Sequence, residues 1–212
     1  MPRYSLLISA LFISVNVVSQ DQQQVGLSNL REKKVCFLGL DFSMGRLLSV
    51  EAFRDTTKLI NEFVPEWNRF FYSDQDKFDV CGAFRLKSLD MCTENCSSRN
   101  RAISAEDFIQ DDSHSLTEDD IRSAVVGFNY TNVLADVGIL FVVEYFDKRE
   151  DEAAIWVTLI DLTKMEVFLA KRVTGKPGGM GMKSYWANAV YEVILRIQKK
   201  DYKRWLKETK VK

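Results

Sequence analysis

The sequence predicts an α/β fold of the α+β kind: one mixed sheet of about five strands with a C-terminal antiparallel meander, packed by three main helices. Three observations carry that expectation. Val35 to Phe42 is an almost unbroken apolar run, three strand-like segments crowd between Val137 and Thr174, and apolar residues recur at helical spacing around Phe53–Phe71, Leu116–Phe128 and Trp186–Ile197.

The chain opens with Met-Pro-Arg-Tyr-Ser and an apolar run from Leu6 to Val18 that ends at Ser19-Gln20-Asp21. One positive charge before a short apolar stretch predicts a signal peptide, cut after Ser19. A bilayer-crossing helix needs about 20 apolar residues, so this run is too short for an integral span. With no cysteine near the cut, acylation of the first mature residue is ruled out. The predicted organisation is a signal peptide at 1–19, a flexible polar lead-in at 20–33 and a single α/β domain over 34–212. Export places that domain in the periplasm or outside the cell.

Hydrophobic residues make up 46% of 212, enough for one sizeable core. Lys and Arg number 29 against 30 acidic residues, so no overall field draws the protein to nucleic acid or to an anionic membrane.

The folded part begins near Lys34. Val35–Phe42 is apolar on both faces, the mark of a central strand. Ser49 is a candidate N-cap for a helix carrying Phe53, Ile60, Phe63, Val64, Trp67, Phe70 and Phe71, and Pro65 predicts a kink or break near Glu62–Val64. Val80–Met91 alternates in part and reads as a strand with one wet face. Cys92–Ser115 is polar and turn-rich, the longest irregular stretch. Thr117 and Asp120 form a capping box, with Leu116 and Ile121 as its apolar staple, and start a helix to about Phe128. Val137–Phe146, Ala153–Leu162 and Val167–Thr174 follow with short charged connections, the pattern of a meander. After a glycine-rich turn, Trp186, Val190, Val193 and Ile197 mark the strongest helix, with Lys199, Lys200, Lys203 and Arg204 toward its C-terminal end.

Four cysteines remain after the signal: Cys36, Cys81, Cys92 and Cys96. In an oxidising compartment, Cys92 and Cys96 in one loop-like stretch are the expected disulfide, and Cys36 reads as a small buried hydrophobe. A zinc site lacks paired spacing, so no metal and no cofactor are expected.

Candidate chemistry is sparse. Lys176, Gly178, Gly179 and Gly181 stand before a helix, where backbone donors favour anions, but the order fits neither a phosphate loop nor a dinucleotide fingerprint. A tight strand-to-helix turn explains the glycines. Asp111, Asp112, His114, Glu118, Asp119 and Asp120 form an acidic run that helix capping explains. Asp41 closes the first strand, where α/β proteins place functional groups. Trp67 with Phe70 and Phe71 is core or a ligand surface. A single histidine and no nucleophile motif leave no imidazole mechanism in view.

Val35–Phe42 as an opening strand, and Trp156-Val157-Thr158-Leu159-Ile160-Asp161-Leu162-Thr163-Lys164-Met165-Glu166-Val167 as strand, Asp-containing turn and strand, resemble the small α/β domain of the curli-secretion CsgG family and of the TolB N-terminal domain. Met165 stands where that family usually has Gly. Thr174–Gly181 with Tyr185-Trp186-Ala187 is similar to uncharacterised exported proteins of Bacteroidota, a likeness that implies no activity. The resulting expectation is a non-catalytic envelope or secreted protein that contacts an envelope protein or other macromolecule. A carboxylate enzyme using Asp41 and the Asp111–Asp120 region, or a small-ligand carrier, are the alternatives.

Overall fold

The computed structural model describes residues 25–209. The expected signal peptide at 1–19 lies outside the described residues. Part of the lead-in expected to be flexible is ordered: Leu27–Glu32 is a 3-10 helix that buries Leu27 and Leu30 in the main core. Two leucines three apart share one side of such a helix, which gives the turn an apolar face to dock.

β1 (Val35–Asp41) is buried at every position, as its apolar run predicts. β2 (Arg46–Leu48) follows after a turn closed by Gly45 N–H on the Phe42 carbonyl, 2.9 Å. Next come α1 (Thr56–Lys58), a π turn (Leu59–Phe63) and α2 (Val64–Ser73), joined end to end. Ser49 does not cap this helix. Its N–H is held by the Gln110 carbonyl at 3.1 Å, and Asp55 is the cap, accepting from Lys58 N–H at 3.0 Å. Pro65 does not break the helix either. It sits in the first turn of α2, and the preceding register widens so that Val64 N–H reaches the Leu59 carbonyl.

The strand expected over Val80–Met91 is mostly absent. α3 (Val80–Ala83) forms there because the Asp79 carboxylate accepts from Gly82 N–H at 2.7 Å, and only β3 (Asp90–Met91) is extended. Arg85, at φ 56, turns the chain between them. The stretch expected to be irregular holds α4 (Glu94–Asn100), α5 (Ala105–Phe108) and β4 (Ile109–Gln110). α6 (Glu118–Val126) starts on the Thr117–Asp120 capping box. β5 (Val137–Asp147), β6 (Glu152–Asp161) and β7 (Glu166–Gly175) follow, then α7 (Met182–Arg196), a second π turn (Ile197–Asp201) and α8 (Tyr202–Thr209).

These strands form one mixed sheet of seven strands rather than about five, because the first line and its outer neighbour are each broken in two. β5 organises it. Along one edge β5 pairs parallel with β1 and then with β2, and along the other it pairs antiparallel with β6. β3 and β4 lie parallel outside β1 and β2, and β7 is antiparallel to β6. Parallel pairing therefore governs four of the six contacts, and antiparallel pairing is confined to β5, β6 and β7.

One face of the sheet packs Phe37, Phe141 and Ile155 against Trp67, Trp186, Val190, Val193 and Trp205 of the helices. The other face is smaller, with Leu38, Leu140, Val142 and Ile160 under Ile121, Val125 and Cys96.

The expected Cys92–Cys96 disulfide is corrected to Cys36–Cys92. β3 lies in register with β1, so Cys92, one residue past Met91, comes to 6.0 Å from Cys36 between Cα atoms, within bridging range. Cys96 is a buried free thiol on α4, and burial pushes its pKa well up, which leaves it unreactive.

Candidate functional site

β3 pairs only with Cys36 and Phe37, and β4 only with β2, so β1 has no strand neighbour along residues 39–42 on that edge. Two asparagine side chains take its place. Asn68 of α2 accepts from Leu40 N–H at 2.8 Å and donates to the Leu40 carbonyl at 2.9 Å. Asn100 of α4 accepts from Phe42 N–H at 2.8 Å and donates to the same Leu40 carbonyl at 2.8 Å. Both are buried, and a carboxamide carries the donor and acceptor of a peptide group, so the pair completes the sheet edge. Gly39, at φ 119, makes room: a Cβ there would lie 3.0 Å from the Cys96 side chain and 3.1 Å from Asn68 Oδ1.

The same pair marks a crevice. α2, which follows β1 and β2, packs on the larger face of the sheet, whereas α4, which follows β3, buries Cys96 on the smaller one. Where connections leave neighbouring parallel strands to opposite faces, the ends of the strands open into a cleft, the usual ligand position of open α/β sheets. Here that cleft has a volume of 220 Å³. Ile60, Val64 and Pro65 supply apolar surface, and Tyr72, Thr93 and Ser97 supply hydroxyls. Arg69 and Arg101 also line it, together with Asn68 and Asn100, and no acidic side chain does. The Tyr72 and Thr93 hydroxyls are hydrogen-bonded at 2.5 Å.

No known family model, curated protein or solved structure matches this chain. The function must be read from the site itself.

Asp41 is fully buried at the tip of β1, beside this crevice rather than in it. One oxygen accepts from Ser43 N–H at 2.8 Å, and the other lies 3.5 Å from Arg99 Nε. Arg99 donates in turn to Ser43 Oγ at 2.7 Å and to the Ala124 carbonyl at 3.0 Å. Asp41 thus ties α4 and α6 to the strand tip. The Asp111–Asp120 run does not join it: Asp111 accepts from Val50 N–H at 2.9 Å, and Asp120 closes the capping box. His114 Nε2–H donates to the Met44 carbonyl at 2.9 Å, and partial burial with Arg46 nearby lowers its pKa.

Trp67 is core, not a ligand platform. It is 1% exposed, stacks on Phe42 and donates its indole N–H to the Lys183 carbonyl at 3.0 Å. The crevice uses another side of α2, the one carrying Val64, Asn68 and Tyr72 at intervals of four.

The glycine-rich turn serves the backbone. Gly179 and Gly181 take φ 100 and 81, and a Cβ on Gly175 would fall 2.1 Å from the Ala189 carbonyl oxygen. Gly178 N–H is engaged by the Tyr185 carbonyl at 3.0 Å, and Lys176 is exposed. The glycines of this turn shape the approach to α7, whereas Lys176 lines a separate depression with Glu152, Asn188, Glu192 and Arg196.

Sequence reasoning missed Glu144. A register shift between Val143 and Tyr145 leaves Glu144 as the extra residue of a β-bulge. It is 1% exposed, accepts from Arg172 at 2.8 and 3.2 Å and from the Trp156 indole at 2.8 Å, and so links β5, β6 and β7. A carboxylate inside an apolar strand was the available signal. The fork from Arg172 uses both its oxygens, so this group is a cross-sheet tie. Among the described residues, no three His, Cys, Asp or Glu side chains are grouped to hold a metal ion.

Proposed function

We propose that this protein is a non-catalytic binding module of an extracytoplasmic compartment, and that it holds a partner polypeptide through the crevice between α2 and α4. One observation carries the reading: the crevice at the switch point combines apolar surface with hydroxyl and guanidinium donors, while the buried carboxylates Asp41 and Glu144 are tied to Arg99 and Arg172 outside it. These ion pairs support a scaffold role for both carboxylates. An oxidising compartment is supported by the Cys36–Cys92 disulfide. No helix among the described residues is long and apolar enough to cross a membrane. The resemblance to envelope assembly domains points in the same direction.

Ser97 lines the crevice on α4 and is half-buried, so Ser97→Trp should fill the space without entering the core. Capture from native envelope and secreted fractions, quantified against wild type at matched thermal stability, tests the reading. A stoichiometric partner retained by wild type and lost by Ser97→Trp supports it. Equal capture by both, or turnover of a screened substrate that Ser97→Trp leaves unchanged, refutes it.

A further inference from the structure

The chemistry of the crevice narrows the partner. We infer that it takes the free C-terminal residue of a polypeptide, an α-carboxylate joined to a small apolar side chain; this rests on the reading of the crevice as a partner site.

Charge comes first. The protein has a formal net charge of −1, yet the lining of this cleft includes two arginines and no Asp or Glu. Arg69 is paired with Glu66 at 2.7 Å, and Lys183 also reaches Glu66 at 3.3 Å, so that carboxylate keeps a second cation if the exposed Arg69 guanidinium turns to a ligand. Arg101 donates to Ser98 Oγ at 2.9 Å and has no carboxylate partner among the described residues. An anion is therefore the ligand charge that this lining favours, and a planar guanidinium matches a carboxylate well.

Hydrogen bonding agrees. The Tyr72 and Thr93 hydroxyls carry two hydrogens between them, and their mutual bond at 2.5 Å uses one. Whichever donates, the other is left with a hydrogen for an acceptor in the cleft, where Thr93 is 5% exposed. The amides of Asn68 and Asn100 are engaged with β1, so these hydroxyls and the guanidinium groups are what a ligand meets.

Size and apolar surface select the rest. Ile60, Val64 and Pro65 ask for a hydrocarbon group beside the anion. A volume of 220 Å³ is below the roughly 300–1,000 Å³ of sites that bury most of a free small molecule. It suits one residue projecting from a larger partner whose remaining chain runs over the exposed surface at Pro65, Arg69 and Tyr72.

The probes are an N-acetyl tripeptide ending in valine with a free carboxylate, the same tripeptide with a C-terminal amide, and N-acetylvaline, each titrated calorimetrically into the disulfide-bonded protein. The acid should bind at least about tenfold more tightly than the amide, as expected for a charge-assisted contact. Added salt should weaken the acid and leave the amide unchanged. Arg101→Gln, at an exposed position that leaves the fold intact, should bring the acid-to-amide ratio close to one. Equal affinities for acid and amide, or an unchanged ratio in Arg101→Gln, would overturn the inference. So would binding of neither peptide, or N-acetylvaline binding as tightly as the tripeptide, which would indicate a free small carboxylate. These failures are distinct from those of the parent reading, which falls if Ser97→Trp captures partner as wild type does or if a substrate is turned over equally by both.

Discussion

Replacing Asn100 by alanine removes, among the described residues, the acceptor of the buried Phe42 N–H and one of two side-chain donors to the Leu40 carbonyl. Asn68→Ala likewise orphans Leu40 N–H and removes the other donor to that carbonyl. A buried donor left without a partner costs about 1–3 kcal/mol, so each variant should lose about 2 kcal/mol, a large part of the roughly 5–15 kcal/mol of a whole domain. The two losses should not add. In either single variant the Leu40 carbonyl keeps one amide donor, and only the double variant strips both. The double variant should therefore be less stable than the sum of the singles by about 1 kcal/mol. Urea unfolding of the four proteins, with Cys36–Cys92 kept oxidised, measures this cycle. The reasoning holds if the midpoints fall while the slope stays constant. It fails if each single variant costs under about 0.5 kcal/mol or if the cycle is additive, because water would then replace the amides and the sheet edge would not need them.

Cys36 and Cys92 enclose a separation of 56 residues, so Cys92→Ala, or reduction, should cost about 4 kcal/mol by the loop-closure relation, read as a lower denaturation midpoint; an unchanged midpoint would show that the bond adds nothing to stability. Met165 holds φ 55 in the β6–β7 turn and is exposed, and the left-handed conformation costs an L-residue about 1–2 kcal/mol. Met165→Gly should therefore stabilise the protein by about 0.5–1 kcal/mol after the entropy cost of glycine, a rise in melting temperature that calorimetry would detect. His114 has its pKa lowered, first by partial burial and then by Arg46, so below pH 6.5 the unfolded chain takes up the proton before the folded one does. Stability from this group should be fully present above pH 6.5 and decline as pH falls through the lower folded value, and His114→Gln should flatten that part of the stability profile.

The sequence determined the features whose cause lies within a few residues. The apolar run of β1, the Thr117–Asp120 box that starts α6, the strand segments after Val137 and the apolar stripe of α7 are legible because their periodicity or capping is local. The same local rules misread Val80–Met91, where Asp79 and Arg85 outweigh a short alternation, and placed the cap of the long helix at Ser49, which a long-range bond to the Gln110 carbonyl holds just past the end of β2. Only the tertiary structure decided the rest. Asn68 acts on a residue 28 positions away, Asn100 on residues 58 and 60 positions away, and Cys36 is joined across 56. No spacing announces such pairs, because chain direction and strand register bring them together, not sequence distance. The crevice has the same origin: it exists because α2 and α4 leave the β1–β3 edge toward opposite faces, a property of the topology that neither helix carries alone.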